Sequence, residues 1–246
     1  MRDIKIGTWA EIPTPYATDI MAKAGLDFSI IDMEHGIIDF TMAQNMVFAA
    51  HGRDKQILIR VPLAEEVWTL RALDTGCDGI VFPGVSGMED IKKIIECSYF
   101  APTGKRGFNP YITAGGYAGV DRTYFEKENE RVSVCIILEG IEVFNYLDDI
   151  VSCKEIDIVY IGQYDLSMAL GIPGSVGDPA VLKIMDEAVR IIHRAGKRAG
   201  CMVHSTEEAE KVIRQGFSFI VYKTDSGILY QSMKEFAQEV SGYEIE

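Results

Sequence analysis

The chain has 246 residues, of which 48% are hydrophobic, and a formal net charge of −13. This length and apolar content allow a large core, and the acidic balance argues against a nucleic-acid or anionic-membrane partner. The five cysteines form no CxxC pair, the N-terminus shows no secretory leader, and no apolar run is long enough to span a bilayer. We therefore expect a cytoplasmic protein with reduced thiols.

Short apolar runs alternate with amphipathic segments along the whole chain, an order typical of β/α folds. The predicted strands are Ile4–Gly7, Phe28–Asp32, Ile57–Arg60, Gly79–Phe82, Val132–Leu138, Ile156–Ile161, Arg198–Val203 and Phe217–Tyr222. The predicted helices lie near 14–24, 40–51, 64–75, 87–98, 141–149, 179–195, 206–214 and 226–239. Eight such units predict a (β/α)8 TIM barrel, one domain over residues 1–246, with a doubly wound open sheet as the alternative.

The connection over residues 101–130 breaks this alternation, because it is glycine-rich and irregular. We expect it to follow the fourth strand and to lie on the face where the strands end. Long irregular connections of this kind are often lids or binding loops, or surface excursions used in subunit contacts. Both interpretations stay open for this segment.

The second predicted strand ends in ionisable side chains. The apolar run Phe28–Ile31 is followed by Asp32, Glu34 and His35. Catalytic residues of barrels collect at the carboxyl ends of strands, and these three residue types can supply a general base and the group that orients it. The alternative is that the two acids cap the next helix and that His35 only packs.

The third strand ends at Arg60. A guanidinium at the end of a hydrophobic strand is costly unless it meets an anion. A substrate carboxylate, an enolate or the neighbouring Glu34 would supply that anion.

Two other residues follow predicted strands. We expect Trp9, after the first strand, to belong to the core. His204, after the seventh strand, would touch substrate, cap a helix or pack.

Two further carboxylates, Glu139 and Asp165, follow the consecutive fifth and sixth strands. Neighbouring strands lie roughly 4.8 Å apart, so the two side chains can converge on one cation. Two carboxylates suit Mg²⁺ or Mn²⁺, and a helix that opens near Gly162 can hold an anionic group on its backbone N–H groups. Each acid alone would also be explained as a helix cap.

These strand ends, read in order, resemble the metal-dependent (class II) pyruvate aldolases of the HpcH/HpaI family. The resemblance rests on Asp32–Gly36, the Arg60 strand, the Glu139 strand end, Ile161–Ser167 and Tyr99–Gly107. It runs over most of the chain. The family resemblance implies a TIM-barrel lyase that reversibly cleaves a 4-hydroxy-2-oxo acid to pyruvate and an aldehyde.

The resemblance also implies a role for each site residue. His35 would be the general base, polarised by Asp32, and Arg60 would face the keto oxygen of pyruvate. Glu139 and Asp165 would bind the divalent metal, which would be Mg²⁺, Mn²⁺ or Co²⁺, with no organic cofactor. The enzyme would form a homo-oligomer, a hexamer or trimer, with the C-terminal helix exchanged between neighbours.

The substrate-binding residues implied in the same way are Gly162, Tyr164 and Asp165, with Arg60, and the backbone around Tyr164 would receive the pyruvate carboxylate. The chain departs from the family pattern at Ile137, at Tyr164 and at Lys223. A lysine pointing inward from the eighth strand would favour aldehydes that carry a carboxylate or phosphate, whereas one pointing outward would pair with an acid such as Asp225.

Two other functions stay open at this point. One is a related metal-dependent 2-oxo acid lyase or decarboxylase, which release of CO₂ would reveal. The other is a non-catalytic barrel that binds a ligand, which the intact set of base, arginine and carboxylate pair disfavours.

Overall fold

The computed structural model describes residues 4–119, 121 and 123–241, and its eight parallel strands close into a barrel in chain order. The strands are β1 Lys5–Ala10, β2 Phe28–Asp32, β3 Gln56–Arg60, β4 Gly79–Phe82, β5 Ser133–Leu138, β6 Ile158–Ile161, β7 Arg198–Val203 and β8 Phe219–Thr224. The predicted TIM barrel is confirmed, and the open doubly wound sheet is wrong because β8 pairs with β1.

Helices cover the outside of the barrel. They are α1 Pro15–Lys23, α2 Phe40–His51, α3 Glu66–Asp74, α4 Met88–Ser98, α5 Tyr124–Arg131, α6 Leu147–Ser152, α7 Gln163–Ala169, α8 Pro179–Arg194, α9 Thr206–Gln215 and α10 Asp225–Val240. A 3₁₀ turn at Glu142–Tyr146 leads into α6. Side-chain caps fix several helix starts: Asp39 accepts a hydrogen bond from the N–H of Met42 at 2.8 Å, as expected for an N-cap acid.

The core has two layers, one inside the barrel and one between the strands and the helices. In β2, Ile30 belongs to the inner layer and Ile31 to the outer layer. Since each strand is buried on both faces, its sequence is a continuous apolar run rather than an alternating one. The rings of Phe28 and Phe219 stack at 3.9 Å inside the barrel, and Gly7 leaves room for them, because a Cβ there would lie 2.3 Å from Phe28.

The irregular segment lies at the opposite end of the barrel from the one predicted. The helix α4 carries the chain back to the amino-terminal end before the segment begins, and Thr113 there accepts a hydrogen bond from Gln44 and lies beside Gly76, which precedes β4. The prediction of a lid over the strand ends is therefore wrong. The irregular stretch is also shorter than predicted, because Tyr124–Arg131 forms α5.

A buried ion pair holds this segment against the barrel. The side chain of Arg106 is 1% exposed, and its Nη1 lies 3.3 Å from Oε1 of Glu128. Its guanidinium also packs over the ring of Phe100, 4.5 Å from the centroid. Glu128 binds Arg131 as well, with Nε 2.7 Å from Oε2. Burying these charges is tolerable only because each has its partner.

We predict that Glu128→Gln lowers the free energy of unfolding by about 3 kcal/mol, because it removes the nearer of the two carboxylates beside the buried charge of Arg106 and leaves only Asp74, whose Oδ1 lies 4.0 Å from Nη2. Urea denaturation measures the change. The matched control is Glu187→Gln, which removes an exposed carboxylate 4.0 Å from Lys183 and should cost less than about 1 kcal/mol. Similar losses in the two variants would contradict the role given to the buried pair.

Candidate active site

A cavity of about 290 Å³ opens at the carboxyl ends of the strands. Its lining residues are Trp9, Glu11, His35, Arg60, Ile137, Glu139, Tyr160, Gly162, Gln163, Tyr164, Asp165, Met202 and Thr224. The structure thus brings together most of the side chains that the sequence predicted for the site. Asp32 lies behind Arg60, outside the lining, and Lys223 does not reach the cavity.

The pair formed by Asp32 and Arg60 is the most buried charged contact of the site. The carboxylate of Asp32 is fully buried, and its two oxygens accept hydrogen bonds from Nε of Arg60 at 2.9 Å and from Nη2. The guanidinium also stacks over the ring of Trp9 at 4.3 Å. The side chain of Arg60 is 12% exposed, so one edge of it faces the cavity. Although burial acts against its charge, the hydrogen bond to Asp32 raises the pKa of Arg60.

Asp32 also fixes the backbone that follows it. Its Oδ1 accepts hydrogen bonds from the N–H groups of Glu34 at 3.0 Å and His35 at 3.2 Å. The imidazole of His35 is not among the partners of Asp32 in the described part of the chain. The predicted polarisation of that ring by Asp32 is therefore replaced by a backbone contact, because Arg60 and two N–H groups already occupy the carboxylate.

Glu34 is the carboxylate that lies nearest to the imidazole. Its Oε2 is 3.8 Å from Nε2 of His35 and 3.0 Å from Nη1 of Arg60. Burial raises the pKa of Glu34, and the charges of Arg60 and His35 act in the opposite direction. The side chain of His35 is 73% exposed and therefore open to solvent and substrate. The sequence offered Glu34 among the residues able to supply a base or to orient it, and as a cap or an anion for Arg60, but the family resemblance assigned the orienting role to Asp32.

Glu139 stands half-buried at the end of β5. Its Oε2 accepts a hydrogen bond from the N–H of Gly84 at 2.7 Å. A Cβ on Gly162 would lie 3.0 Å from Cγ of Glu139, so a glycine at this position lets the chain pass close to the carboxylate. Burial raises the pKa of Glu139; the hydrogen bond from Gly84 opposes this, and the negative charges of Asp165 and Glu34 add to it.

Asp165 lies in the first turn of α7, beside Glu139 in the cavity lining, and is exposed. Helix α7 begins at Gly162 without a side-chain cap. The N–H of Gly162 donates to the carbonyl oxygen of Leu138 at 3.0 Å, whereas the next N–H groups, from Gln163 onward, have no intrahelical acceptor, as at any helix start, and belong to residues that line the cavity. The two predicted metal ligands and the predicted anion-binding backbone thus share one wall of the cavity.

Tyr164 occupies the mouth of the cavity and is 46% exposed. Its Oη lies 3.0 Å from Nε2 of His204, and the two rings meet edge to face at 6.1 Å. His204 is thus connected to the site by its contact with Tyr164 and is not itself among the residues that line the cavity. No local pattern predicts this pairing, since Tyr164 and His204 lie 40 residues apart in the chain.

Lys223 takes a different position from the one predicted for a substrate-binding residue. The strands β1 and β8 pair Gly7 with Val221 and Trp9 with Thr224, so β8 carries an extra residue there, and Lys223 adopts a left-handed backbone with φ of 48°. Because of this bulge, Thr224 lines the cavity, while the ammonium of Lys223 lies 5.2 Å from the ring of Tyr222.

The alternative partner suggested for Lys223, Asp225, has another role. Its carboxylate oxygens accept hydrogen bonds from the N–H groups of Glu11 at 2.9 Å and Ile12 at 3.1 Å. This contact ties the start of α10 to the end of β1. It also places Glu11 in the cavity lining, where its carboxylate accepts a hydrogen bond from Ser226. The contribution of Glu11 was missed because the predicted first strand ended too early.

The sequence of this chain is similar to a known protein family and to named relatives. Residues 5–231 match the family described as HpcH/HpaI aldolase/citrate lyase. The chain is 27% identical over 224 residues to 2-keto-3-deoxy-L-rhamnonate aldolase of Escherichia coli (strain K12), covering 91% of this chain and 84% of the relative. It is 25% identical over 236 residues to 5-keto-4-deoxy-D-glucarate aldolase of Shigella boydii serotype 18, covering 96% and 91%.

A solved structure agrees with the fold. The crystal structure of an HpcH/HpaI aldolase from Desulfitobacterium hafniense DCB-2 aligns with a TM-score of 0.93 at 23% identity, over 98% of this chain and 94% of that one. The resemblance read from the strand ends is therefore confirmed, and with it the prediction of an aldolase, a carbon–carbon lyase. Since the match spans nearly the whole chain, the protein belongs to the HpcH/HpaI aldolase/citrate lyase family.

Proposed function

We propose that this enzyme reversibly cleaves a 4-hydroxy-2-oxo acid to pyruvate and an aldehyde, with a divalent cation bound by Glu139 and Asp165. The observation that carries the proposal is that these two carboxylates, Arg60 and His35 line one cavity. Together they offer a cation site, a fixed positive charge and a base around a single small-molecule substrate.

The carboxylate pair fits a hard divalent cation. Asp165 and Glu34 both raise the pKa of Glu139, after burial itself, so negative charges crowd this wall and a cation would relieve the repulsion. No group of three or more His, Cys, Asp or Glu side chains suited to a metal occurs among the described residues. Two protein oxygens would leave positions for water and substrate, as is usual for Mg²⁺ or Mn²⁺. A cation bound there would stabilise negative charge on the 2-oxo oxygen.

Arg60 is oriented for the same oxygen. A guanidinium has five N–H donors, and Nε and Nη2 each give one to Asp32, while Nη1 faces Glu34 at 3.0 Å. One N–H on each Nη remains for a substrate oxygen. Since Asp32 and the ring of Trp9 hold the plane of the guanidinium, these donors are aimed before the substrate arrives, which favours stabilisation of the enolate.

His35 is the proposed general base. The imidazole would take the proton from the C4 hydroxyl of the substrate. The C3–C4 bond would then break, and the electron pair of that bond would pass to the enolate of pyruvate. Asp32 acts as a positioning residue, through the N–H of His35 and through Arg60. The N–H groups of Gln163 and Tyr164, which have no intrahelical acceptor, would bind the pyruvate carboxylate, whereas the N–H of Gly162 already donates to the carbonyl oxygen of Leu138 at 3.0 Å.

The direct test is a screen of pyruvate against a panel of aldehydes with Mg²⁺, Mn²⁺ or Co²⁺ added to the chelator-treated protein. Formation of a 4-hydroxy-2-oxo acid supports the proposal. Release of CO₂ from 2-oxo acids without an aldehyde product would instead favour the decarboxylase alternative. The absence of turnover with every cation would favour a barrel that only binds its ligand.

We also propose that the enzyme is a homo-oligomer, a hexamer or a trimer. Helix α10 has no buried residue, and one side of it carries Leu229, Met233, Phe236 and Val240, which are 48–68% exposed. A helix with such an apolar stripe at i, i+4, i+7 and i+11 usually packs against another chain or element. A second copy of the chain would cover it.

The free cysteines support a location in a reducing compartment. Of the five, four are buried and all carry free thiols. In the part of the chain that the structure describes, no helix combines the length and the apolar character needed to cross a membrane. We propose a cytoplasmic location on the basis of the thiols, since disulfides are rare there.

The first prediction from this proposed function concerns the charge of Glu139. Its raised pKa means that the buried anion destabilises the metal-free fold at neutral pH, so Glu139→Gln should raise the Tm measured with chelator at pH 7. This gain should disappear below the ordinary Glu value of 4.5, where the carboxyl is protonated in both states. Added Mn²⁺ should stabilise the wild type only, with affinity for the variant reduced by more than about tenfold.

Calorimetry with and without Mn²⁺ measures both effects. The control is Glu142→Gln, which removes a carboxylate from the turn that follows β5. A loss of Tm in metal-free Glu139→Gln, or equal stabilisation of both proteins by Mn²⁺, would contradict the assignment.

The second prediction separates the base from the arginine. His35→Ala should lower kcat for cleavage by roughly 10²–10⁴, because proton transfer is lost. Arg60→Ala should weaken pyruvate binding and also slow the exchange of the C3 protons of pyruvate with solvent. The matched control is Arg53→Ala, since Arg53 pairs with Asp19 at 2.7 Å on the surface. Full-rate exchange in Arg60→Ala would be incompatible with its proposed role.

The third prediction concerns assembly. Phe236→Glu places a charge in the apolar stripe of α10 and should shift the protein to smaller species, because burying an unpaired charge is costly. Light scattering measures the mass, and Gln238→Glu is the control on the same helix. A wild type that is monomeric, or a variant of unchanged mass, would argue against an interface on α10.

A further inference from the structure

Tyr160 places a phenol on the floor of the cavity. It lies on β6, one residue before the end of the strand, and it is 4% exposed. In the barrel it stands opposite Ile137 of β5 and Gly200 of β7. Its neighbours Ile137 and Met202 are apolar and also line the cavity. A phenylalanine would pack against them equally well, so packing alone does not account for the hydroxyl group.

Two contacts fix the ring of Tyr160. A Cβ on Gly200 would lie 2.8 Å from Cδ2 of the ring, so the glycine lets the ring cross the backbone of β7. The second contact is with the ring of Trp9, which it meets edge to face with the centroids 5.9 Å apart. Trp9 is also the ring on which the guanidinium of Arg60 stacks, at 4.3 Å. The phenol and the donors of Arg60 therefore flank the same part of the cavity.

The hydroxyl proton of Tyr160 is not used within the described part of the chain. The indole N–H of Trp9 lies beside the phenol oxygen, but an indole N–H can only donate. Among the described residues no group accepts the phenol proton, and the oxygen is not one of their sealed polar atoms without a partner. The oxygen therefore reaches open space, and the open space that Tyr160 borders is the cavity.

The phenol is a neutral donor at neutral pH. Burial raises the pKa of Tyr160 well above its ordinary value of 10.0, and the indole N–H of Trp9 and the charge of Arg60 oppose this only in part. A neutral donor gains more from an oxygen that becomes negatively charged than from a carbonyl oxygen, because hydrogen bonds to charged groups are stronger. In the proposed reaction the oxygen that gains charge is the 2-oxo oxygen of pyruvate.

We propose that Tyr160 is a further catalytic residue, which donates a hydrogen bond from the floor of the cavity to the enolate oxygen of pyruvate, alongside Arg60. The proton stays on the phenol throughout, and no bond of the tyrosine forms or breaks. This inference rests on the proposed function, because it requires that the 2-oxo oxygen binds at Arg60.

The test follows the exchange of the C3 protons of pyruvate in D₂O by mass spectrometry, with the cation that supports the fastest exchange. Tyr160→Phe keeps the ring and removes only the donor. Its kcat for exchange should fall roughly 10–100-fold, the equivalent of one hydrogen bond to a charged oxygen. The KM for pyruvate should change less than about threefold, because the keto oxygen is neutral before enolisation.

The matched control is Tyr222→Phe, which removes a phenol oxygen from β8 at a residue outside the cavity lining. It should exchange the C3 protons at the wild-type rate. An exchange rate in Tyr160→Phe equal to that of the control would overturn the proposal.

Binding of oxalate gives a readout without turnover, because oxalate carries a negative oxygen where pyruvate carries its keto oxygen. Its Kd, measured by calorimetry with the same cation, should rise roughly tenfold in Tyr160→Phe, whereas the Kd of pyruvate should change less than about threefold. A structural role of the hydroxyl predicts instead a lower Tm and equal weakening of both ligands. Equal weakening, or no weakening of either ligand, would overturn the proposal.

The exchange assay also separates a failure of Tyr160 from a failure of the proposed function, because it requires no aldehyde. A wild type that exchanges the C3 protons at a rate that Tyr160→Phe leaves unchanged refutes the role of Tyr160 alone. A wild type that neither exchanges these protons nor condenses pyruvate with any aldehyde refutes the proposed function, and the role of Tyr160 with it.

Discussion

The buried pair of Asp32 and Arg60 is the contact on which the site depends. The two residues lie opposite each other in the register of β2 and β3, so the barrel itself brings the charges together. A fully buried carboxylate is costly unless its oxygens are satisfied, and here Arg60 and the N–H groups of Glu34 and His35 satisfy them. One side chain thereby sets the plane of the guanidinium and the backbone that carries the proposed base.

A second constraint is the crowding of carboxylates around Arg60. Glu139 and Glu34 both have raised pKa values, with burial as the largest cause. Asp165 raises both further, and Arg60 provides the opposing charge. Like charges in a partly buried cavity destabilise the fold, which is the expected feature of a site built to hold a cation and an anionic substrate. The proposed role of Glu139 as a cation ligand thus opposes its effect on the stability of the metal-free fold.

The fold was largely predictable because the strands are buried on both faces. Uninterrupted apolar runs such as Phe28–Ile31 identify them, and the residues that follow each run necessarily share one rim. This is why His35, Arg60, Glu139 and Asp165 could be assigned to one site. The irregular segment was misplaced for a simple geometric reason: the intervening α4 returns the chain to the other end of the barrel.

Other features could not be read from the sequence because they depend on local geometry. The extra residue in β8 turns Lys223 away from the cavity and exposes Thr224 to it, and no pattern in the sequence marks a bulge there. The hydrogen bond between Tyr164 and His204 joins the ends of neighbouring units. Such side-chain contacts depend on the three-dimensional arrangement of distant residues, which no local pattern in the sequence reveals.

The central claim is that Glu139 and Asp165 would hold one divalent cation beside the bound pyruvate, where it would stabilise negative charge on the 2-oxo oxygen. The most direct measurement is the paramagnetic broadening by Mn²⁺ of the ¹³C signals from C1 and C2 of labelled pyruvate. We expect strong broadening of both signals with the wild-type protein and the loss of this broadening in Asp165→Asn. Equal broadening with the variant, or none with the wild type, would contradict it.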